Sequence, residues 1–241
     1  MAQHLAAQLT RQHHLNNSRS QRIPWALEEL GIPYEIKYYQ RRPDQLAPKE
    51  LLDVHPLGKS PVITDTDRNV TVAESGAILH HLIKYYGNGN GKPSEANEDE
   101  NVYWDQFAEA TFVPTLVMKT IFSFLPTQTP FFIRPLVNMI SGKVMQMYLD
   151  PDMTRKIRFI GDALEKKGNS GRVWFAGGDK DGGPTSADYQ MLIPLEGITS
   201  GRMPTEEPVP ESIKAWVDMV HSRPAYRRTY EKGGTYDYAK I

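Results

Sequence analysis

Three short stretches hold residues whose types and spacing suit them to chemistry. Leu15-Asn16-Asn17-Ser18 sets two amides and a hydroxyl directly ahead of a helical repeat, and Ala73-Glu74-Ser75-Gly76 sets a carboxylate and a hydroxyl at the head of another. Between them, His55-Pro56-Leu57-Gly58-Lys59-Ser60-Pro61-Val62 places an imidazole and an ammonium among turn residues. A serine at a helix N-terminus, with the free backbone N–H groups of the first turn, can hold a carboxylate or another anion. Glu74 beside Ser75 can receive an ammonium. Ser18 and Ser75 are equally suited to plain helix capping, and Glu74 and Lys59 to solvation; spacing alone leaves both readings standing. The chain has no cysteine, which excludes disulfides, thiolate zinc sites and a protein thiol nucleophile.

The elements that position these groups read as follows. Ile23, Ala26, Leu27 and Leu30 repeat at i, i+3, i+4, i+7, which predicts an amphipathic helix. Ser18 and Gln21 have capping-box spacing ahead of it, and Gly31 ends it. Tyr34, Ile36 and Tyr38 alternate with Glu35, Lys37 and Tyr39, which is a strand period. A short helix from Pro48 to Val54 is closed by Pro56. Strands at Pro61–Thr64 and Val70–Ala73 flank a turn, and a helix from Ser75 turns Ile78, Leu79, Leu82, Ile83 and Tyr86 inward. The order over residues 1–86 is βαβαββα. Gly87-Asn88-Gly89-Asn90-Gly91 opens a linker, 87–97, and no strand pattern follows. Helices are expected near Glu98–Phe124, Phe131–Tyr148, Asp152–Lys167, Ser186–Leu195 and Glu211–His221, giving an all-helical unit over 98–241. Thr185 and Asp188 form a capping box that serves stability, and Arg223-Pro224-Ala225-Tyr226 reads as a helix terminus with a packed aromatic.

Composition bounds the function classes. The 241 residues are 39% hydrophobic and 24% charged with a net charge of -1, so electrostatics argues against nucleic acid. No N-terminal signal core and no stretch of transmembrane length stand out, and a cytoplasmic protein is expected. Glycosylation triplets at Asn16 and Asn69 read as chance matches, and Ala239-Lys240-Ile241 is a weak peroxisomal address. His13-His14 and His80-His81 are adjacent pairs that diverge on a strand or helix, so no metal site is expected.

His55–Val62 followed by Ala73–Ile78 resembles the glutathione-binding signature of cytosolic glutathione transferases, and the resemblance extends over roughly Leu9 to Tyr238. Within that superfamily, "LNNSRSQR" and the apolar insert described below look most like fungal enzymes of the GTT type. The resemblance implies a thioredoxin-like domain with a helical domain, a homodimer, and glutathione as co-substrate with no further cofactor. It implies a cis bond before Pro61, with the Ser60 or Val62 backbone pairing with the cysteinyl amide. It gives Lys59, and more weakly His55, to the glycyl carboxylate, and Glu74 and Ser75 to the γ-glutamyl end. The sulfur contact falls at Ser18 or Asn17, with Asn16 and Ser20 behind them. Lowering a thiol pKa by about 2 units takes roughly 2.7 kcal/mol. One charge-assisted hydrogen bond supplies about 1.5–3 kcal/mol and a helix end up to ~2 kcal/mol, so no protein base is required.

The implied activity is conjugation of the thiolate to apolar electrophiles in detoxification, with peroxidase duty as an extension. Alternatives are a ligandin-like binding protein with little catalysis, or a regulatory relative that has lost glutathione. The apolar co-substrate is expected against Tyr103, Trp104 and Phe107, with Phe112, Phe122 and Phe124 near; an aromatic stripe at this spacing serves equally as core. Asp105 is a candidate for reaching glutathione in a partner subunit, as an acid does in some relatives. The insert Phe122–Tyr148 is apolar and proline-marked; it is read as interface or pocket cap, since flanking basic charge is too sparse for strong membrane binding.

Overall fold

The structure is a computed structural model that describes residues 10–44, 46–177, 182–233 and 236. The tripeptide 239–241 lies outside the described residues.

The strand leading into the first candidate stretch, β1 (Thr10–Leu15), is buried at every position but Arg11, because it runs inside the sheet. β2 (Tyr34–Tyr39) pairs parallel to it, with Thr10 opposite Tyr34 and Leu15 opposite Tyr39. A parallel pair needs a crossover, and α1 (Arg22–Glu29) supplies it with Ile23, Ala26 and Leu27 fully buried. Gly31 takes φ +65 just past its end, as the helix-stop reading requires. β3 (Val62–Asp65) runs antiparallel to β1, with Val62 opposite His13, and β4 (Val70–Ala73) closes the order β2-β1-β3-β4. α2 (Ser75–Tyr86) then packs Ile78, Leu79, Leu82 and Ile83 onto the sheet.

Two local expectations are corrected. The helix expected at Pro48–Val54 is a single 3₁₀ turn, Lys49–Leu51, because only Leu51 in it is buried and prolines stand at both sides. Tyr38 is half exposed while Tyr39 is buried with Leu15 and Leu51, its hydroxyl 3.0 Å from His13 Nδ1. The Ser18–Gln21 capping box is absent: Ser18 Oγ accepts from the Ser20 N–H (3.2 Å), and the Gln21 amide is buried without a partner among the described residues.

After residues 87–97 the described elements are helical. The expected Glu98–Phe124 helix is α3 (Glu98–Gln106), a wide π turn (Phe107–Phe112) and α4 (Val113–Phe124) without a break. Pro114 has no N–H for the regular ladder, and the wide turn before it absorbs the defect. With its flanking 3₁₀ turns the run spans Glu95–Gln128, 34 residues with a window of mean hydropathy 1.2, a third of it buried. By length and composition alone that is enough to cross a membrane, which corrects the expectation that no stretch has that length.

Likewise α5 (Arg134–Val144) passes through a π turn (Met145–Leu149) into α6 (Asp150–Asn169), where Pro151 plays the same part. The two helices expected here are therefore one continuous rod. α5 buries only Ser141, so the apolar insert stands clear of the body.

α7 (Ser186–Thr199) is the buried axis of this half, nearly every residue being out of solvent. Its cap is the expected one: Asp188 accepts from the Thr185 N–H (2.9 Å), the Thr185 hydroxyl (3.0 Å) and the Phe175 N–H (2.8 Å). α8 (Glu211–Ser222) and α9 (Pro224–Gly233) follow, with Tyr226 fully buried as read. α9 returns to α1: Arg223 grips Glu29 through two bonds (2.5 and 2.8 Å), and Arg228 meets Glu28 at 2.6 Å. The helical half therefore braces the helix that opens at Ser18.

Candidate active site

Two cavities adjoin along the carboxyl edge of β1. The first, about 380 Å³, brings together His55, Lys59, Ser60, Pro61, Glu74 and Ser75, with Asp105 and His80 on the facing side. The second, about 580 Å³, holds Ser18 and Asn17 at one end and Leu46, Val113, Leu116, Val117, Pro194 and Met203 along its walls. Arg19, Leu57, Lys59 and Ser60 line both and form the shared wall.

The first cavity gathers charges of both signs. Ser75 opens α2, so the N–H groups of its first turn have no intrahelical acceptor and face an incoming anion. The Ser75 hydroxyl is itself held in the protein, donating to Gln190 Oε1 and accepting from Arg22 Nη1, both at 3.2 Å. Glu74 before it is exposed and takes φ +71, a left-handed conformation that costs a residue with a Cβ of order 1–3 kcal/mol and persists where surroundings impose it. Asp105 is nearly buried; its Oδ2 pairs with His80 Nε2 at 2.9 Å, and its Oδ1 has no partner among the described residues. The hydrogen bond that His80 donates to the Asp105 carboxylate raises the His80 pKa. Asp105, a candidate for reaching glutathione in a partner subunit, lines the first cavity.

The Ser60–Pro61 peptide is cis, as expected. The Ser60 hydroxyl donates to His13 O (2.8 Å) and accepts from Leu15 N–H (3.2 Å), fastening the loop to β1. Gly58 sits at φ +57, where a Cβ would lie 2.7 Å from Leu52 Cδ2, so the bend favours glycine. Lys59 is exposed and carries no ion pair among the described residues. His55 Nδ1 accepts the Leu57 N–H at 3.3 Å, the turn-capping role weighed for it. Val62 is 1% exposed between β1 and β4 and lines neither cavity, leaving only its backbone for a ligand.

Ser18 caps the 3₁₀ turn Arg19–Gln21 that leads into α1. Its hydroxyl donates to Leu15 O (2.8 Å) and lies 2.8 Å from Ser20 Oγ. Ser20 Oγ in turn donates to Leu15 O (3.0 Å) and lies 3.1 Å from His14 Nδ1. Burial lowers the His14 pKa to about 4. Asn17 takes φ +48, its carbonyl meeting Arg41 Nη2 at 3.4 Å, and Asn16 Oδ1 accepts the Arg41 N–H (3.0 Å). The corner is thus held from both sides.

The aromatics expected at the co-substrate site lie apart from both cavities. Tyr103, Trp104 and Phe107 line neither cavity. Trp104 and Phe107 are buried in a ring cluster with Phe159, Phe175 and Phe112, because α3 turns that face toward α6 and the core. The apolar walls come instead from α4 and from Ile193 and Pro194 of α7.

Arg22 went unread at the sequence level. Fully buried, it donates to Glu109 Oε1 (2.6 Å), Ser75 Oγ and Gln190 Oε1, joining α1, α2, the π turn and α7 beneath both cavities. The signal was present: Arg22 precedes Ile23 and lies one turn before Ala26, on the buried face, and a charge there is the informative exception.

Comparisons with known proteins fit this geometry. A family model described as "Glutathione S-transferase, N-terminal domain" matches residues 18–84. Glutathione S-transferase 3 of Schizosaccharomyces pombe is 36% identical over 223 residues, 91% of this chain and 86% of that one. Glutathione S-transferase 1 of Saccharomyces cerevisiae is 29% identical over 227 residues, 91% and 93% of the two chains. The solved structure of Ure2p in complex with glutathione shares the fold, with TM-score 0.70, 18% identity, and 94% and 100% of the chains covered. The chain belongs to the glutathione S-transferase family, as an enzyme related to its fungal members.

Proposed function

We propose that the first cavity binds glutathione and that its thiolate, held at Ser18, attacks an apolar electrophile lying in the second. The observation that carries this reading is the shared wall: a cavity of mixed charge meets one with apolar walls across Arg19, Leu57, Lys59 and Ser60, and Ser18, next to Arg19, lines the second. The γ-glutamyl carboxylate takes the N–H groups opening α2, its ammonium lies toward Glu74 and Asp105, and Lys59 meets the glycyl carboxylate. A hydroxyl bond and the helix end supply enough stabilisation for a thiolate near neutral pH. The thiol proton leaves to solvent, sulfur bonds to the electrophilic carbon, and the leaving group takes the electron pair. A hydroperoxide in the same apolar cavity would be attacked at oxygen, which is the peroxidase extension of the same proposal. A homodimer also belongs to it, measurable by light scattering.

The ligandin-like reading is favoured by one observation, the Ser18 proton turned inward on Leu15 O. Ultraviolet titration of the bound glutathione thiol, with conjugation of 1-chloro-2,4-dinitrobenzene, separates the two. A thiol pKa well below that of free glutathione, raised in Ser18→Ala, supports the transferase. A depressed pKa that survives Ser18→Ala moves the role to Asn17. Binding without a shift favours the carrier, and no binding sinks both.

A further inference from the structure

Behind Ser18 lies a buried chain of polar atoms that glutathione itself would not touch. Ser20 is fully buried and His14 is 2% exposed, and neither lines a cavity. Four short contacts join the group: Ser18 Oγ to Leu15 O, Ser18 Oγ to Ser20 Oγ, Ser20 Oγ to Leu15 O, and Ser20 Oγ to His14 Nδ1. Each contact can carry one proton.

If His14 is protonated on Nε2, only the two seryl protons are available for four contacts. If it is protonated on Nδ1, three protons are available, and every seryl oxygen can accept as well as donate. The Nδ1–H tautomer therefore satisfies the buried group better. A cation is excluded from this position by burial, which holds the ring neutral until about pH 4.

We propose that His14 and Ser20 are positioning residues for the transferase reaction, forming a one-way hydrogen-bond chain, His14 Nδ1–H to Ser20 to Ser18 to the glutathione sulfur. This rests on the reading that Ser18 holds the thiolate. When Ser18 turns its proton outward to sulfur, Leu15 O loses a donor, and Ser20 can cover that carbonyl or donate to Ser18 Oγ. In the second case Ser18 Oγ also accepts the Ser20 N–H, 3.2 Å away, so two donors polarise the hydroxyl that faces the anion. Chains of this kind strengthen their terminal bond cooperatively. No proton is transferred along it; each donor keeps its own hydrogen, and the thiol proton leaves to solvent. A helix end alone would not need the imidazole, whereas this chain does.

The test is the pKa of enzyme-bound glutathione, with the pH profile of kcat/KM, in wild type, His14→Leu, His14→Asn, Ser20→Ala and Ser18→Ala. Asparagine places an amide N–H near where Nδ1 stood, so His14→Asn should keep the wild-type value. His14→Leu and Ser20→Ala should each raise the bound thiol pKa by roughly half a unit, lowering kcat/KM below that pKa about threefold with glutathione KM unchanged. Nitrogen NMR of the complex should find His14 protonated on Nδ1. The chain is overturned if His14→Leu and Ser20→Ala leave the pKa in place while Ser18→Ala raises it, or if His14 carries its proton on Nε2. If Ser18→Ala also leaves it in place, the underlying reading of Ser18 fails and the chain with it. Should His14→Leu not fold, Ser20→Ala decides the matter alone.

Discussion

His14 gives the stability of the protein a specific acid dependence. Its ring is buried beside β1, and burial holds its pKa at about 4, against about 6.5 in the unfolded chain. Between those values the unfolded chain binds a proton that the folded one refuses. The contribution of a neutral His14 is therefore complete above about pH 6.5 and is lost as pH falls toward 4. At pH 5 the linkage amounts to about 2 kcal/mol, from roughly a thirtyfold ratio of proton-binding polynomials. The perturbation is His14→Asn, which removes the titration and keeps a donor. Urea unfolding of both proteins at pH 7.5 and pH 5.0 measures it. Wild type should lose about 2 kcal/mol more than His14→Asn on going to pH 5. His13, whose pKa burial also lowers to about 4, is present in both proteins and cancels from the difference. Equal losses in the two proteins would refute the reasoning that His14 is folded in neutral.

Other consequences can be checked singly. Arg22→Met strands Ser75, Gln190 and part of Glu109, and should cost about 2–4 kcal/mol in unfolding free energy while weakening glutathione binding. Asp188→Ala removes the acceptor of three hydrogen bonds and should cost about 2–3 kcal/mol by thermal unfolding, leaving the bound thiol pKa unchanged. Lys59→Ala should raise the glutathione KM about tenfold with little change in kcat, because it loses a ground-state contact to a carboxylate. Phe131→Ser with Phe132→Ser should leave protomer stability within about 0.5 kcal/mol, since the rings are 81% and 70% exposed.

The sequence made the local and the chemical legible, and it failed where long-range packing decides. The Ile23–Leu30 stripe, Gly31 and the Thr185–Asp188 cap each carry their own short-range cause and stand where they were read, while the cis bend at Pro61 was legible only through the family resemblance. The surroundings of Tyr103, Trp104 and Phe107 were not legible because an aromatic stripe does not say which neighbour it faces, and the ring they meet, Phe159, comes from α6. Arg22 and Gln190 were missed because their bond joins residues 168 positions apart. The π turns were invisible for a subtler reason: Pro114 and Pro151 predict an interrupted ladder, but not whether a helix stops or widens.

A crystal structure of the protein with an S-alkyl glutathione would show most directly what the sulfur touches and where the electrophile lies. The peptide should lie in the first cavity, with the sulfur in contact with Ser18 Oγ and the alkyl chain against Val113, Leu116, Val117 and Leu46. A sulfur turned to Asn17 with Ser18 still on Leu15 O would contradict the assignment of the donor. An alkyl chain running toward Tyr103 and Phe159 would contradict the placement of the electrophile.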